Sequence, residues 1–251
     1  MRIFLLFMGI AAFLTSCTRP QTTTFTTKNI DLKSTVDCEK ENCTYVHLEI
    51  PVASGNALIA QPINDTLFGF IQKKLRLEGD SKTTSYDSLA QRFVRRYEEI
   101  NQTYPSESVA WEANFKVSQR TLSTQTHQIV WDYYLFSGGA FGLQAAKVYF
   151  FNLENGAVIP TKDLFLNYEG FKNFAEIEFK KQLNVKNSFA EAGFTFKNNT
   201  FDLPQNFYET DDEWILYYNP YEIASHAQGA VVVKLPKTKV APYLNPIHFK
   251  N

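Results

Sequence analysis

The spacing of apolar residues changes period along this chain, and the changes mark its elements. Val46, Leu48 and Ile50 alternate with Tyr45, His47 and Glu49, which predicts a strand over 45–52, paired in a hairpin with a looser strand over 25–36. Ile63, Leu67, Phe70, Ile71 and Leu75 then recur at helical spacing and predict a helix over 62–76, broken by Gly79, Asp80 and Ser81. Ser88 and Gln91 read as a capping box that opens a second helix, with Leu89, Phe93, Tyr97 and Ile100 on its inner face. Strict alternation returns over Val109, Trp111, Ala113, Phe115 and Val117, the pattern of a sheet with one covered and one wet face. The next strand, 128–136, is apolar on both sides except at Asp132 and so belongs inside a sheet. A third follows over 144–153, closed by the turn signal Asn155-Gly156. A helical segment starts at Asp163, and a Phe-rich helix runs from Glu169 to about Leu183. Short strands at 206–208, 214–218 and 229–235 and a short helix over 237–245 complete the chain. Helices come in a block between runs of strands rather than alternating with them. The expected class is therefore α+β: antiparallel sheets with helices packed on one side, in two intimately associated subdomains.

The first residues obey a different logic. Arg2, the apolar run Ile3–Leu14 and the sequence Leu14-Thr15-Ser16-Cys17 have the layout of a bacterial lipoprotein signal. The run is shorter than the roughly 20 apolar residues that span a bilayer. The expectation is a signal peptide over 1–16, lipid attachment at Cys17 and a polar tether over 17–24. The domain would then sit outside the cytoplasm, anchored to a cell-envelope membrane, with the outer membrane weakly favoured. In that oxidising setting Cys38 and Cys43 form an even pair, for which a disulfide is the default. Net charge is −1 over 251 residues with no basic stripe, so a nucleic-acid partner is not expected. The four histidines (His47, His127, His226 and His248) lack ligand spacing, and neither a metal nor a cofactor is expected.

Three blocks carry a family likeness. Tyr133, Ser137, Gly138, Gly139, Ala140 and Gly142, then Asn152 and Gly156, then Asp163, Leu164 and Phe165 follow the pattern Y-x-x-x-[ST]-G-G-A-H-G, N-x-x-x-G, D-L-F. This resembles the RsiV-type C-terminal domain family (DUF3298). The later run through Asn206, Asn219, Pro220, Tyr221, Glu222, Ala224 and Gly229 is similar to the same family. Residues 25–105 resemble the PdaC-type domain (DUF4163) that commonly precedes it, which places the expected boundary before residue 106 and the second domain at 106–251. The resemblance implies an envelope-facing recognition module. In the anti-sigma factor RsiV such a region binds lysozyme, while in the peptidoglycan deacetylase the chemistry belongs to a domain this chain lacks. One position departs from the pattern: Phe141 stands where the family has His, and phenylalanine can neither titrate nor coordinate.

The glycines of the 137–142 loop suit positive φ and close chain approach, so Ser137, Gly138, Gly139, Phe141 and Gly142 form either a plain strand connection or a candidate binding loop. Tyr133, Tyr134, Tyr217, Tyr218 and Tyr221 are candidates for an aromatic surface, or for sheet filling. Asp132 and Glu222 are the carboxylates to test for acid–base chemistry. Neither a His-Glu-x-x-His nor a Gly-x-Ser-x-Gly motif is present. The expected function is non-catalytic binding of an extracytoplasmic protein, lysozyme-like, or of a cell-wall glycan. The alternative is a polysaccharide hydrolase using carboxylates.

Overall fold

The computed structural model describes residues 22–36, 43–76, 83–105 and 109–249. Cys17 and Cys38, the signal and most of the tether lie outside these residues. The α+β class holds, with four α-helices, a five-stranded sheet and a three-stranded sheet among the described residues.

The larger sheet has the order β1 (Thr24–Lys33), β2 (Tyr45–Ser54), β3 (Glu112–Thr121), β4 (Thr126–Phe136) and β5 (Leu143–Asn152). Its pairings are antiparallel, as expected, except β2–β3, which is parallel. A parallel pair needs a long crossover. Here the crossover is α1 (Ala57–Leu75) followed by α2 (Tyr86–Thr103); α1 packs on β2, and α2 on β1 and β2. The expected boundary at 105/106 therefore falls between α2 and β3, and the β2–β3 pairing joins its two sides in one sheet.

Two local expectations are revised. The first helix begins at Ala57, capped by Asn56, rather than at residue 62. Pro62 lies inside it. The carbonyl left without its N–H is that of Leu58, which is 82% exposed and open to water. The second helix is capped by Ser85, whose Oγ accepts from the Ser88 amide at 3.2 Å, three residues before the expected box. Val109 is exposed ahead of β3, whose first residue is Glu112.

The second sheet has the order β6 (Asn206–Glu209), β7 (Glu213–Tyr218) and β8 (Val231–Pro236), all antiparallel. Beside it lie α3 (Tyr168–Gln182) and the short α4 (Lys237–Val240). β4 and β5 separate two cores. Ile129, Trp131, Tyr133, Ala145 and Phe151 face α1 and α2, while Val130, Val148 and Phe150 face the second sheet and α3. This explains why β4 is apolar on both sides.

Side-chain amides stand in for missing strand partners throughout. Asn64 of α1 holds both the N–H and the C=O of Ala53, each at 2.9 Å. Gln128 does the same for Glu209 at 2.7 and 2.8 Å, and Gln182 for Lys234 at 3.1 and 2.8 Å. Asn219 clamps Ala146 at 2.8 and 3.1 Å, and Asn206 accepts from the Val148 amide at 3.0 Å. The outer edge of β5, which would otherwise bury open backbone groups, is thereby closed by Asn219 and Asn206 together with the backbone of Ala157 and Ile159.

Candidate functional site

The 137–142 loop joins β4 to β5 with Gly138 and Gly139 both at φ 94°, a conformation side-chain-bearing residues rarely adopt. Gly142 serves a different purpose. A Cβ there would lie 2.1 Å from the Tyr134 hydroxyl, so glycine lets that ring pass beneath the loop. Phe141 projects from the loop, 72% exposed.

A corner at 219–229, between β7 and β8, comes up against the same loop. Asn219 docks it to Ala146, and both oxygens of Glu222 accept backbone N–H groups: Oε2 from Asn219 at 2.9 Å and Oε1 from Gln205 at 2.8 Å. Burial pushes the Glu222 carboxyl above its ordinary value despite those two bonds. The corner forces Tyr221 to φ 67°, a costly conformation for a bulky residue, yet its ring is 67% exposed. His226, half-buried, donates from Nε2 to the Gly142 carbonyl at 3.1 Å. Its ring lies 5.1 Å from Phe141 and 5.3 Å from Tyr221, with planes tilted by 36° and 37°. Two segments about 80 residues apart thus build one exposed cluster, Phe141–His226–Tyr221. His226, its middle member, carries no local sequence signal that would single it out.

The other predicted residues divide. Tyr133 and Tyr218 are not surface residues: Tyr133 stacks on Phe115 at 5.0 Å in the helix-facing core, and Tyr218 is 1% exposed in the other core, its hydroxyl donating to the Asp202 carbonyl. Neighbouring strand residues point to opposite faces, so adjacency in sequence does not place Tyr133 with Tyr134. Tyr134 and Tyr217 are half-buried, and burial together with the Asp132 charge raises the Tyr217 phenol. Asp132 is exposed and accepts a hydrogen bond from Gln144, so it is not the buried carboxyl that acid–base chemistry would call for. Asp132 and Glu222 are engaged by different groups, and nothing directs both at one point. Ser137 is half-buried at the loop's start.

The face of the large sheet opposite α1 and α2 carries a polar row, Asp31–His47–Asn114–Tyr134–Gln144, in register across five strands. His47 is half-buried with Nδ1 2.6 Å from Asp31. Beside it Tyr45 bonds Glu112, and burial with that carboxylate pushes its phenol up to about 12. Two concavities lie elsewhere. One, of 230 Å³, sits where Arg120 and Gln128 meet Tyr208 and Asp211; the other, of 410 Å³, is an apolar groove under Leu166, Pro242 and Phe249. Among the described residues no group of three or more His, Cys, Asp or Glu could hold a metal ion, and no helix is long and apolar enough to cross a membrane.

Comparison with known proteins adds the family context. Residues 162–238 match a protein family described as "Protein of unknown function (DUF3298)". No curated protein matches the chain. A solved DUF3298 family member from Bacteroides fragilis NCTC 9343 shares the fold at a TM-score of 0.64 with 16% identity, covering 91% of this chain and 96% of that one. Another, from Pseudomonas aeruginosa PAO1, superposes at 0.62 with 17% identity, covering 92% of this chain and 99% of that one. Residues 162–238 are therefore similar to DUF3298, within a fold shared along most of the chain's length with solved proteins of that family.

Proposed function

We propose that this protein is a non-catalytic binding module of the cell envelope, anchored by lipid at Cys17, with a PdaC-type first domain, a Cys38–Cys43 disulfide and an RsiV-like second domain. It engages an extracytoplasmic ligand, a lysozyme-like protein or a cell-wall glycan, through Phe141, His226 and Tyr221. The observation that supports this reading is the exposure of two large aromatic rings, one of which, Tyr221, stands on conformationally costly backbone. Tyr221 at φ 67° gives the fold little packing in return, which is the signature of a residue kept for contact with something else. A hydrolase would need a carboxylate free to reach substrate, and both Glu222 oxygens are occupied by backbone amides.

The test is binding of the full chain to lysozyme and to purified peptidoglycan, side by side with Phe141→Ala/Tyr221→Ala. Binding by the parent and its loss in the double variant support the reading. Equal binding by both, or turnover of the peptidoglycan, removes it. Radiolabelled palmitate incorporation, abolished by Cys17→Ser, tests the anchor separately.

A further inference from the structure

Resting on the lipid-anchored reading above, we propose that the end of the molecule carrying Leu58, Val158, Leu166 and Ile247 docks on the bilayer surface. These aliphatic side chains sit among the headgroups and upper acyl chains, and the Phe141–His226–Tyr221 cluster points away from the membrane. The strand register defines the two ends. Thr24 pairs with Ser54, Thr121 with His127 and Thr126 with Asn152, and the parallel run of β2 and β3 puts all of these at one end of the large sheet. The 137–142 loop joins β4 to β5 at the other end. The 11 residues of β4 hold the two ends about 33 Å apart, at about 3.3 Å per residue.

The chain enters at the first end. Thr22 lies against Gly55, where a Cβ would meet the Thr22 carbonyl at 2.7 Å. Four residues, 18–21, separate Thr22 from Cys17, so the lipid-bearing residue lies within about 17 Å of Thr22 at roughly 3.5 Å per residue. That reach is about half the separation of the two ends, so the lipid brings the first end, and not the second, to the headgroups.

Four large aliphatic side chains stand 42–82% exposed there. Leu58 opens α1, three residues after Gly55. Val158 follows the Asn155-Gly156 turn, which lies against the Ile59 carbonyl. Ile247 is held through its carbonyl to the Ser123 hydroxyl, between β3 and β4, at 3.0 Å. Leu166, whose amide donates to the Tyr243 carbonyl at 2.9 Å, borders the 410 Å³ apolar groove together with Pro246, the neighbour of Ile247 in sequence. The charged groups around them are of both signs. Arg120 pairs with Asp211, Lys234 with Glu213, Lys237 with Glu209 and Lys239 with Glu178; Lys162 stands beside Asp163, and Glu154 and Asp212 add two carboxylates. Carboxylates outnumber cations, so the contact does not draw on anionic lipid and is apolar. Four side chains are too few to hold a protein on a membrane unaided. The tether supplies the effective concentration at which so small an apolar area suffices.

The experiment places the full lipoprotein in phosphatidylcholine vesicles, with and without brominated acyl chains as quenchers. A reporter tryptophan is introduced by Leu58→Trp, Leu166→Trp or Ile247→Trp and, at the far end, by Phe141→Trp. The three native tryptophans, Trp111, Trp131 and Trp214, are buried, and the parent gives their background. Bromolipid should remove most of the emission added by each of the first three substitutions and leave that of Phe141→Trp unchanged. Phosphatidylglycerol in the vesicles should not alter the pattern. Equal quenching at both ends, quenching of Phe141→Trp alone, quenching that needs anionic lipid, or none at any position in protein that floats with the vesicles overturns the docking while the anchor at Cys17 stands. Protein that is dimeric in detergent and monomeric after Leu166→Asp/Ile247→Asp gives this end to a second copy and also overturns it. A chain that takes no palmitate at Cys17 removes anchor and docking together, and leaves the binding-module reading to the lysozyme and peptidoglycan test.

Discussion

Asn219→Asp is an isosteric change with a large expected cost. The wild-type amide accepts from the Ala146 N–H at 2.8 Å and donates to the Ala146 carbonyl at 3.1 Å. A carboxylate keeps the first bond and turns the second into a contact between two acceptors. A buried carbonyl stripped of its donor costs about 1–3 kcal/mol. The new charge also lies next to Glu222, whose Oε2 accepts from the Asn219 amide at 2.9 Å, so like-charge repulsion adds to that cost. The sum at neutral pH is about 2–4 kcal/mol. That lowers the thermal midpoint by roughly 4–16 °C for a chain of this size. Protonating the new carboxyl restores a donor, so the deficit should shrink as pH falls toward about 4. Denaturant titration at pH 7 and pH 4.5 measures both effects. Hydrogen exchange should show the Ala146 and Val148 amides released first, because the corner carrying Tyr221 and His226 hangs on this clamp. A variant within about 0.5 kcal/mol of the parent at pH 7 would refute the view that amide side chains seal the β5 edge.

His127 supplies a second prediction. It is 3% exposed, stacked on Phe25 at 3.6 Å and bonded to Thr121 at 2.9 Å, and burial lowers its pKa from 6.5 to about 4. The unfolded chain therefore takes up this proton first as pH falls. Stability from this residue is full above pH 6.5 and declines by about 3 kcal/mol on the way to pH 4, where the loss stops. His127→Gln should flatten that part of the pH–stability curve, and an unchanged slope would count against it. Ser85→Ala should cost about 1 kcal/mol in chemical unfolding while Gln91→Ala costs almost nothing, since the cap lies at 85; the reverse order would return the cap to Ser88. Gly142→Ala should disturb the Tyr134 ring, visible as altered near-ultraviolet circular dichroism, because the added methyl meets its hydroxyl.

What the sequence revealed follows from what is local. The alternation through Trp111, Ala113 and Phe115 and the helical spacing of Ile63, Leu67 and Phe70 each report one face of one element, and those faces are the ones buried. The parallel β2–β3 pair was not legible, because it depends on where the long crossover over 55–111 returns the chain. The start of α1 was hidden by Pro62, a strong breaker whose cost falls where water can reach the open carbonyl. The site shows the same division. The glycine loop announced itself through its composition, and Tyr221 stood out as one of five tyrosines. Their meeting across His226 is a tertiary event, and the burial of Tyr133 and Tyr218 depends on which side of a strand each one takes. Asn206 and Asn219 stood out only as parts of a family-like pattern. The structure gives them a physical task, closing a sheet edge.

The most direct measurement is hydrogen exchange of the full chain with and without solubilised peptidoglycan fragments. New protection confined to 137–142 and 219–229, and absent in Phe141→Ala/Tyr221→Ala, is the predicted outcome. Protection elsewhere on the molecule, such as the row from Asp31 to Gln144 or the groove under Leu166, with those two segments unchanged, would contradict it.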